Sequence, residues 1–232
     1  MFEASAAIPH IVATYAVEER YSPLPGFLGD TPVYALKNNR DLGFMQGAFG
    51  APGAACNLES AIALGCKSLF VFGQCGGVAP ETSVGDIVVP TEVVREEGTS
   101  FHYTSDEGNA LPDGVLLNDL KEHLATCTNP GTRIHIGKTV TTDAVFRQTI
   151  KKELRWRTQG ILGVEMELSA LLSVARHHGV PAVGLLVVSD KHDLEGEDPW
   201  RWGAKEYKAK RLQAVDLLIG FAYKVCQRKE ET

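Results

Sequence analysis

With 232 residues, 44% of them hydrophobic and 22% charged, the sequence has the balance of a globular protein with one sizeable core, and a single domain over 1–232 is expected. Acidic residues outnumber basic ones 29 to 23, for a formal net charge of -6, which argues against a nucleic-acid backbone or an anionic membrane surface as main partner and points to a small ligand. Cys56, Cys66, Cys75, Cys127 and Cys226 are widely spaced and lack CxxC or Cys/His ligand patterns, so reduced thiols in a cytoplasm are expected rather than disulfides or a metal site.

The N-terminus has no basic region ahead of an apolar run, and no stretch reaches the roughly 18 apolar residues of a membrane span. Ala54–Leu64 has helical spacing, and Ser68–Phe72 is an apolar strand running into Gly76-Gly77. Asp86–Val89 reads as a second strand, Val115–Ala125 as a helix and Arg133–Ile136 as a third strand. A short apolar run, Ile161–Val164, precedes a helix in which Leu168, Leu171, Leu172 and Ala175 share one face. Gly179-Val180-Pro181 stops that helix, and Ala182–Val188 is a further strand. Lys205–Lys224 reads as a closing amphipathic helix, with Leu212, Val215, Leu218, Ile219 and Ala222 opposite Lys208, Arg211 and Lys224. Arg95–Asp113 and Asp190–Gly203 take no regular element and have the length of binding loops. Short strands alternating with helices predict an α/β fold.

Three segments carry chemistry. Phe70–Val78 is a strand ending in glycines, where backbone N–H groups can approach a ligand; a tight packing turn explains the same residues equally well. In Gly163-Val164-Glu165-Met166-Glu167-Leu168, two carboxylates flank a thioether at a strand-to-helix junction. Acids there complement a helix dipole, but a carboxylate can also accept from vicinal sugar hydroxyls while a Met packs on the ribose. Leu185–Lys191 ends a strand in Ser-Asp-Lys, which puts Asp190 where ligands gather in α/β sheets or, on the plainer reading, in a surface turn.

The order GQCGGV, GDIVVPTEVVREEGTSFHY, TTDAVFR, GVEMELSALLSVA, VVSDK resembles the purine nucleoside and uridine phosphorylase superfamily, which also holds nucleosidases that use water. The resemblance runs from about Gly50 to the C-terminus. The segment Arg95–Tyr103, which includes His102, and Thr142-Asp143-Ala144 with Arg147 are similar to a bacterial branch of nucleoside phosphorylases, whereas the Ser-Asp-Lys tail with Gly196 is similar to AMP nucleosidases.

What the resemblance implies is specific. The fold would be a three-layer α/β/α sandwich with a mixed, barrel-like central sheet, assembled as trimers or hexamers with sites near subunit interfaces. Glu167 would bind the 2′- and 3′-hydroxyls, Met166 would pack below the sugar and Glu165 would support them. Ile8-Pro9-His10-Ile11 resembles a segment that lends a His to a neighbouring subunit's 5′-hydroxyl. Asp190 would protonate N7 of a purine, with Cys75, Gly76, Val145 and Phe146 also at the base. No cofactor is implied; inorganic phosphate would be a co-substrate.

Departures from the family pattern fall at the phosphate. Val71 and Gln74 stand where relatives carry an Arg and a Ser, and an early Gly-Asp-Pro segment with its Arg is absent. Phosphate would then fall to Gly73, Gln74, Arg95 and Arg147, with Lys191 as a further cation, or the nucleophile is water. An Arg that relatives carry on the helix after the acid has three counterparts here, Lys205, Lys210 and Arg211. A nucleoside phosphorylase is the preferred reading; a nucleosidase and a non-catalytic binding or storage relative are the alternatives, the last opposed by the presence of both Glu167 and Asp190.

Overall fold

In a computed structural model, residues 7–24, 31–105, 108–127, 131–192, 194 and 205–230 are described, side chains at 21–24, 205, 206, 229 and 230 excepted. Helix α1 (Ala7–Thr14) leads into an antiparallel meander of β1 (Val17–Leu24), β2 (Thr31–Leu36) and β3 (Asn39–Met45). The sequence reading assigned no elements here. Then follow α2 (Ala51–Ala63), β4 (Leu69–Gly77), β5 (Ile87–Glu96), α3 (Gly114–Cys127), β6 (Ile134–Thr142), α4 (Ile150–Thr158), β7 (Ile161–Glu165), α5 (Leu168–His177), β8 (Ala182–Lys191) and α6 (Lys205–Glu230).

Strands β4, β7, β6, β5 and β8 close in that order into a barrel with parallel and antiparallel pairs, the mixed, barrel-like sheet expected. Alternation along β4 divides the core. Phe72 joins α1, α3 and α6 through Ile11, Leu120, Val215 and Phe221, while Val71 and Cys75 join α2 and α5 through Leu58, Leu168 and Leu171. Helices therefore cover the sheet on both faces, in three layers.

β4 and β8 run parallel in step from Leu69↔Ala182 to Cys75↔Val188, and then the register skips Ser189 so that Gly76 pairs with Asp190. This bulge matters for function. One extra residue reverses which face the following side chain takes, so Asp190 is turned to the α6 side of the sheet.

Part of the stretch Arg95–Asp113, where no regular element is expected, is regular, and residues 106 and 107 lie outside the described part. β5 continues to Glu96, and Ala110 bridges Val93. Of Asp190–Gly203, residues 193 and 195–203 lie outside the described part.

Candidate active site

Close packing, not only turn formation, accounts for the glycines around the end of β4. A Cβ on Gly76 would sit 3.2 Å from Asp190 Oδ2, and one on Gly163 would sit 2.8 Å from Cys75 Sγ. Glycine at these positions lets three strand ends converge. Cys75 is buried between the charges that result, and its thiol pKa is pushed well up by burial, then by Asp190 and Glu165. Asp190 and Glu165 thus both lie close to Cys75.

The two glutamates take different parts. Glu165, at the end of β7, accepts from the amides of Glu167 (2.7 Å) and Leu168 (2.6 Å) and from the Thr141 hydroxyl. Thr141 Oγ1 in turn accepts from the Ser169 amide at 2.9 Å. Glu165 therefore satisfies open N–H groups of the first turn of α5, as an acid at a helix start does.

Glu167 occupies the N-cap position of α5 without capping it. Its Oε1 accepts instead from the Gly50 amide, at 2.5 Å, just ahead of α2. Met166, half-buried, lies between the two acids.

Burial pushes the Glu165 carboxyl from 4.5 up to about 8, with the charge of Glu167 adding to it, and burial pushes Glu167 to about 7. Folded values raised above unfolded ones stabilise the fold below the unfolded pKa, and that contribution is lost as pH rises through the raised values. Melting temperature should therefore fall between about pH 4.5 and pH 8, from the unfolded carboxyl value to the raised folded ones. A loss of ~2 kcal/mol would appear as about 4–8 °C at this chain length. Glu165→Gln should start less stable, because an amide cannot accept on every side, but show a flatter slope over the same window; an unchanged slope would remove the pair as its source.

Asp190 is oriented by its neighbour. The Ser189 hydroxyl lies 2.5 Å from Asp190 Oδ1 and 3.2 Å from the Cys75 carbonyl oxygen.

The remaining candidates divide sharply. Gly73 is buried within β4, and the Oε1 of Gln74 accepts from the Tyr207 hydroxyl on α6. Val71 is wholly buried in the core. Arg95 is engaged in its own loop: Nε donates to Ser100 Oγ (2.8 Å), Nη1 to the Gly108 carbonyl (3.1 Å), and the guanidinium lies 4.0 Å from the Phe101 ring centroid. It ties down the 95–108 segment, together with Glu97, which accepts from Thr99, Ser100 and the Ser169 hydroxyl. Lys191 is also committed, donating to the carbonyls of Ala79, Pro80 and Thr82.

Val145, Phe146 and Arg147 form a short 3-10 turn after β6, in which Phe146 is 94% exposed and Arg147 is exposed. His102 is exposed in a similar turn. His10 is not brought to Glu167 in its own subunit: Nε2 lies 2.8 Å from Asp216 Oδ1 on α6. Sequence reasoning missed Gly50, Thr141 and Tyr207, whose contacts with the site reach across 117, 24 and 133 residues.

A cavity of about 530 Å³ lies at the opposite end of β4, lined by Leu42, Phe44, Leu69, Phe70 and Ile219 among others. It contains none of these residues. Among the described residues, no group of three or more His, Cys, Asp or Glu is placed to hold a metal, and no helix is long and apolar enough to cross a membrane.

A barrel-like mixed sheet with paired acids after β7 and an acid at the end of β8 defines a class: residues 25–221 match the phosphorylase superfamily, and the chain belongs to it. It is similar to a guanosine phosphorylase of Halorubrum lacusprofundi, 31% identical over 156 residues that cover 67% of this chain and 64% of that one. The match therefore spans less than two thirds of that relative's length. It is also similar to a DeoD-type purine nucleoside phosphorylase of Bacillus cytotoxicus, 27% identical over 180 residues covering 77% of this chain and 74% of the relative.

Proposed function

We propose that this chain is a nucleoside phosphorylase, a pentosyltransferase that cleaves the N-glycosidic bond of a purine ribonucleoside with inorganic phosphate. The observation that carries this is that Asp190 and Glu165 both bear on the buried Cys75, with Glu167 tied to Glu165 through its backbone amide. Superfamily membership and the phosphorylase names of the relatives support it.

Cleavage builds positive charge on the sugar and negative charge on the base, and a site accelerates it by favouring both as they develop. Glu167 accepts from the sugar hydroxyls and its charge faces the oxocarbenium-like ring. A phosphate oxygen bonds to C1′ while the C1′–N9 bond breaks, and its electron pair passes to the base. Asp190 gives a proton to N7, so the products are free base and ribose 1-phosphate. Cys75, Gly76, Val145 and Phe146 line the base, and Met166 packs on the sugar.

We further propose a single cytoplasmic catalytic domain assembled as a trimer or hexamer. Because His10 is bound to Asp216 within its own subunit, any ribose contact it makes is with a neighbour. Light scattering should give a trimer or hexamer; a fully active monomer would remove both statements.

A second reading, hydrolysis by water, is favoured by Val71, which leaves no cation at that position of β4. A panel of nucleosides and nucleotides assayed with and without phosphate separates the two: base release that requires phosphate supports phosphorolysis, and equal release in its absence supports a nucleosidase. Binding without turnover across the panel would revive a non-catalytic relative.

A further inference from the structure

The cations that could replace an arginine at Val71 are mostly spent. Arg95 and Lys191 hold loops, and the Lys210 side chain lies against Gly85, where a Cβ would come within 2.3 Å of it.

Arg211, on α6 and one turn beyond Tyr207, has its guanidinium 5.3 Å from the Tyr207 ring centroid. Its Nε is buried and, among the described residues, has no hydrogen-bond partner. A buried N–H of this kind is costly unless something supplies an acceptor.

The hydrogen bonds around Tyr207 have a fixed polarity. A guanidinium only donates. The Tyr207 hydroxyl donates to Gln74 Oε1, which fixes the amide and leaves its Nε2 as a donor. Gln74 and Gly76 are two apart on β4 and share a face, and it is on this face that Asp190 Oδ2 approaches Gly76. A guanidinium and an amide donor thus stand on the Asp190 side of the strand end. This is the chemistry of an oxyanion site.

We propose that Arg211, with Gln74 oriented by Tyr207, binds the inorganic phosphate that attacks the sugar. The inference rests on the phosphorylase reading above. The phosphate grip is moved from the glycine-rich strand, where Val71 offers none, to the C-terminal helix behind it.

Two measurements on the full chain test this: the Kd of inorganic phosphate by calorimetry, and the KM of phosphate at saturating purine nucleoside. Arg211→Gln should raise both by on the order of 10- to 100-fold, the worth of a charge-assisted contact, with the nucleoside KM changed by less than about threefold. Gln74→Leu should raise them by about three- to tenfold and decides the matter if Arg211→Gln does not fold. Phosphate constants within twofold of wild type in a folded variant would overturn the proposal, as would a fall in kcat with phosphate affinity unchanged, which would make Arg211 a partner of Asp190. If wild-type turnover ignores phosphate, the phosphorylase reading itself fails, a result that is distinct because it needs no variant.

Discussion

Asp190→Asn should slow cleavage of purine nucleosides by roughly 10²–10⁴, the usual worth of a general acid, while sparing substrates whose leaving group needs no proton. The substitution keeps the size of the side chain and an oxygen that can still accept from Ser189, whose hydroxyl lies 2.5 Å from Asp190 Oδ1. It removes only the transferable proton. A 7-methylated purine nucleoside or a nitrophenyl riboside departs as a stabilised leaving group, so its kcat/KM should fall far less. Misfolding would depress both substrate types together. Equal losses on the two, or no loss on either, would return Asp190 to a turn-forming role.

Glu167→Gln should lower kcat/KM by on the order of 10²–10³, as expected when one contact to the developing charge is lost, with little change in melting temperature. Glutamine is the better replacement for a structural reason. Glu167 Oε1 accepts from the Gly50 amide, and a glutamine oxygen can do the same. Alanine would strand that N–H at a cost of about 1–3 kcal/mol and mix instability with lost chemistry. A Glu167→Gln enzyme with near-normal kcat/KM would show that the carboxylate does not act on the ribose.

Both residues were legible because they lie in short runs where apolar strand gives way abruptly to acid. Their division of labour came from the resemblance alone. Spacing makes Glu165 and Glu167 look equivalent, and it is the Thr141 hydroxyl and the α5 amides on one, against Gly50 on the other, that separate their surroundings. Asp190 was found by its strand, but its aim depends on the bulge at Ser189, which the uninterrupted run Ala182–Val188 does not announce. Arg95 and Lys191 were read as phosphate ligands from charge alone; their acceptors, Ser100 and three backbone carbonyls, exist only once the loops fold.

The fold divides the same way. β8 and the first half of β5 are buried on both faces and so read as apolar runs rich in Val and Ile. The meander of β1 to β3 mixes Glu, Arg and Asp into its strands, and its pairings carry register shifts, which blurs the alternation that marks a strand. Helix α4 buries only Glu153 and Trp156 and shows almost no apolar stripe; its one local signal is Thr149, whose side chain accepts from the Lys152 amide.

The most direct measurement of the central claim is the fate of the sugar when a purine nucleoside is turned over in inorganic phosphate and followed by phosphorus NMR. Phosphorolysis at this site requires one equivalent of ribose 1-phosphate for each base released, and no base release once phosphate is removed. Free ribose appearing with the base, at the same rate with and without phosphate, would contradict it.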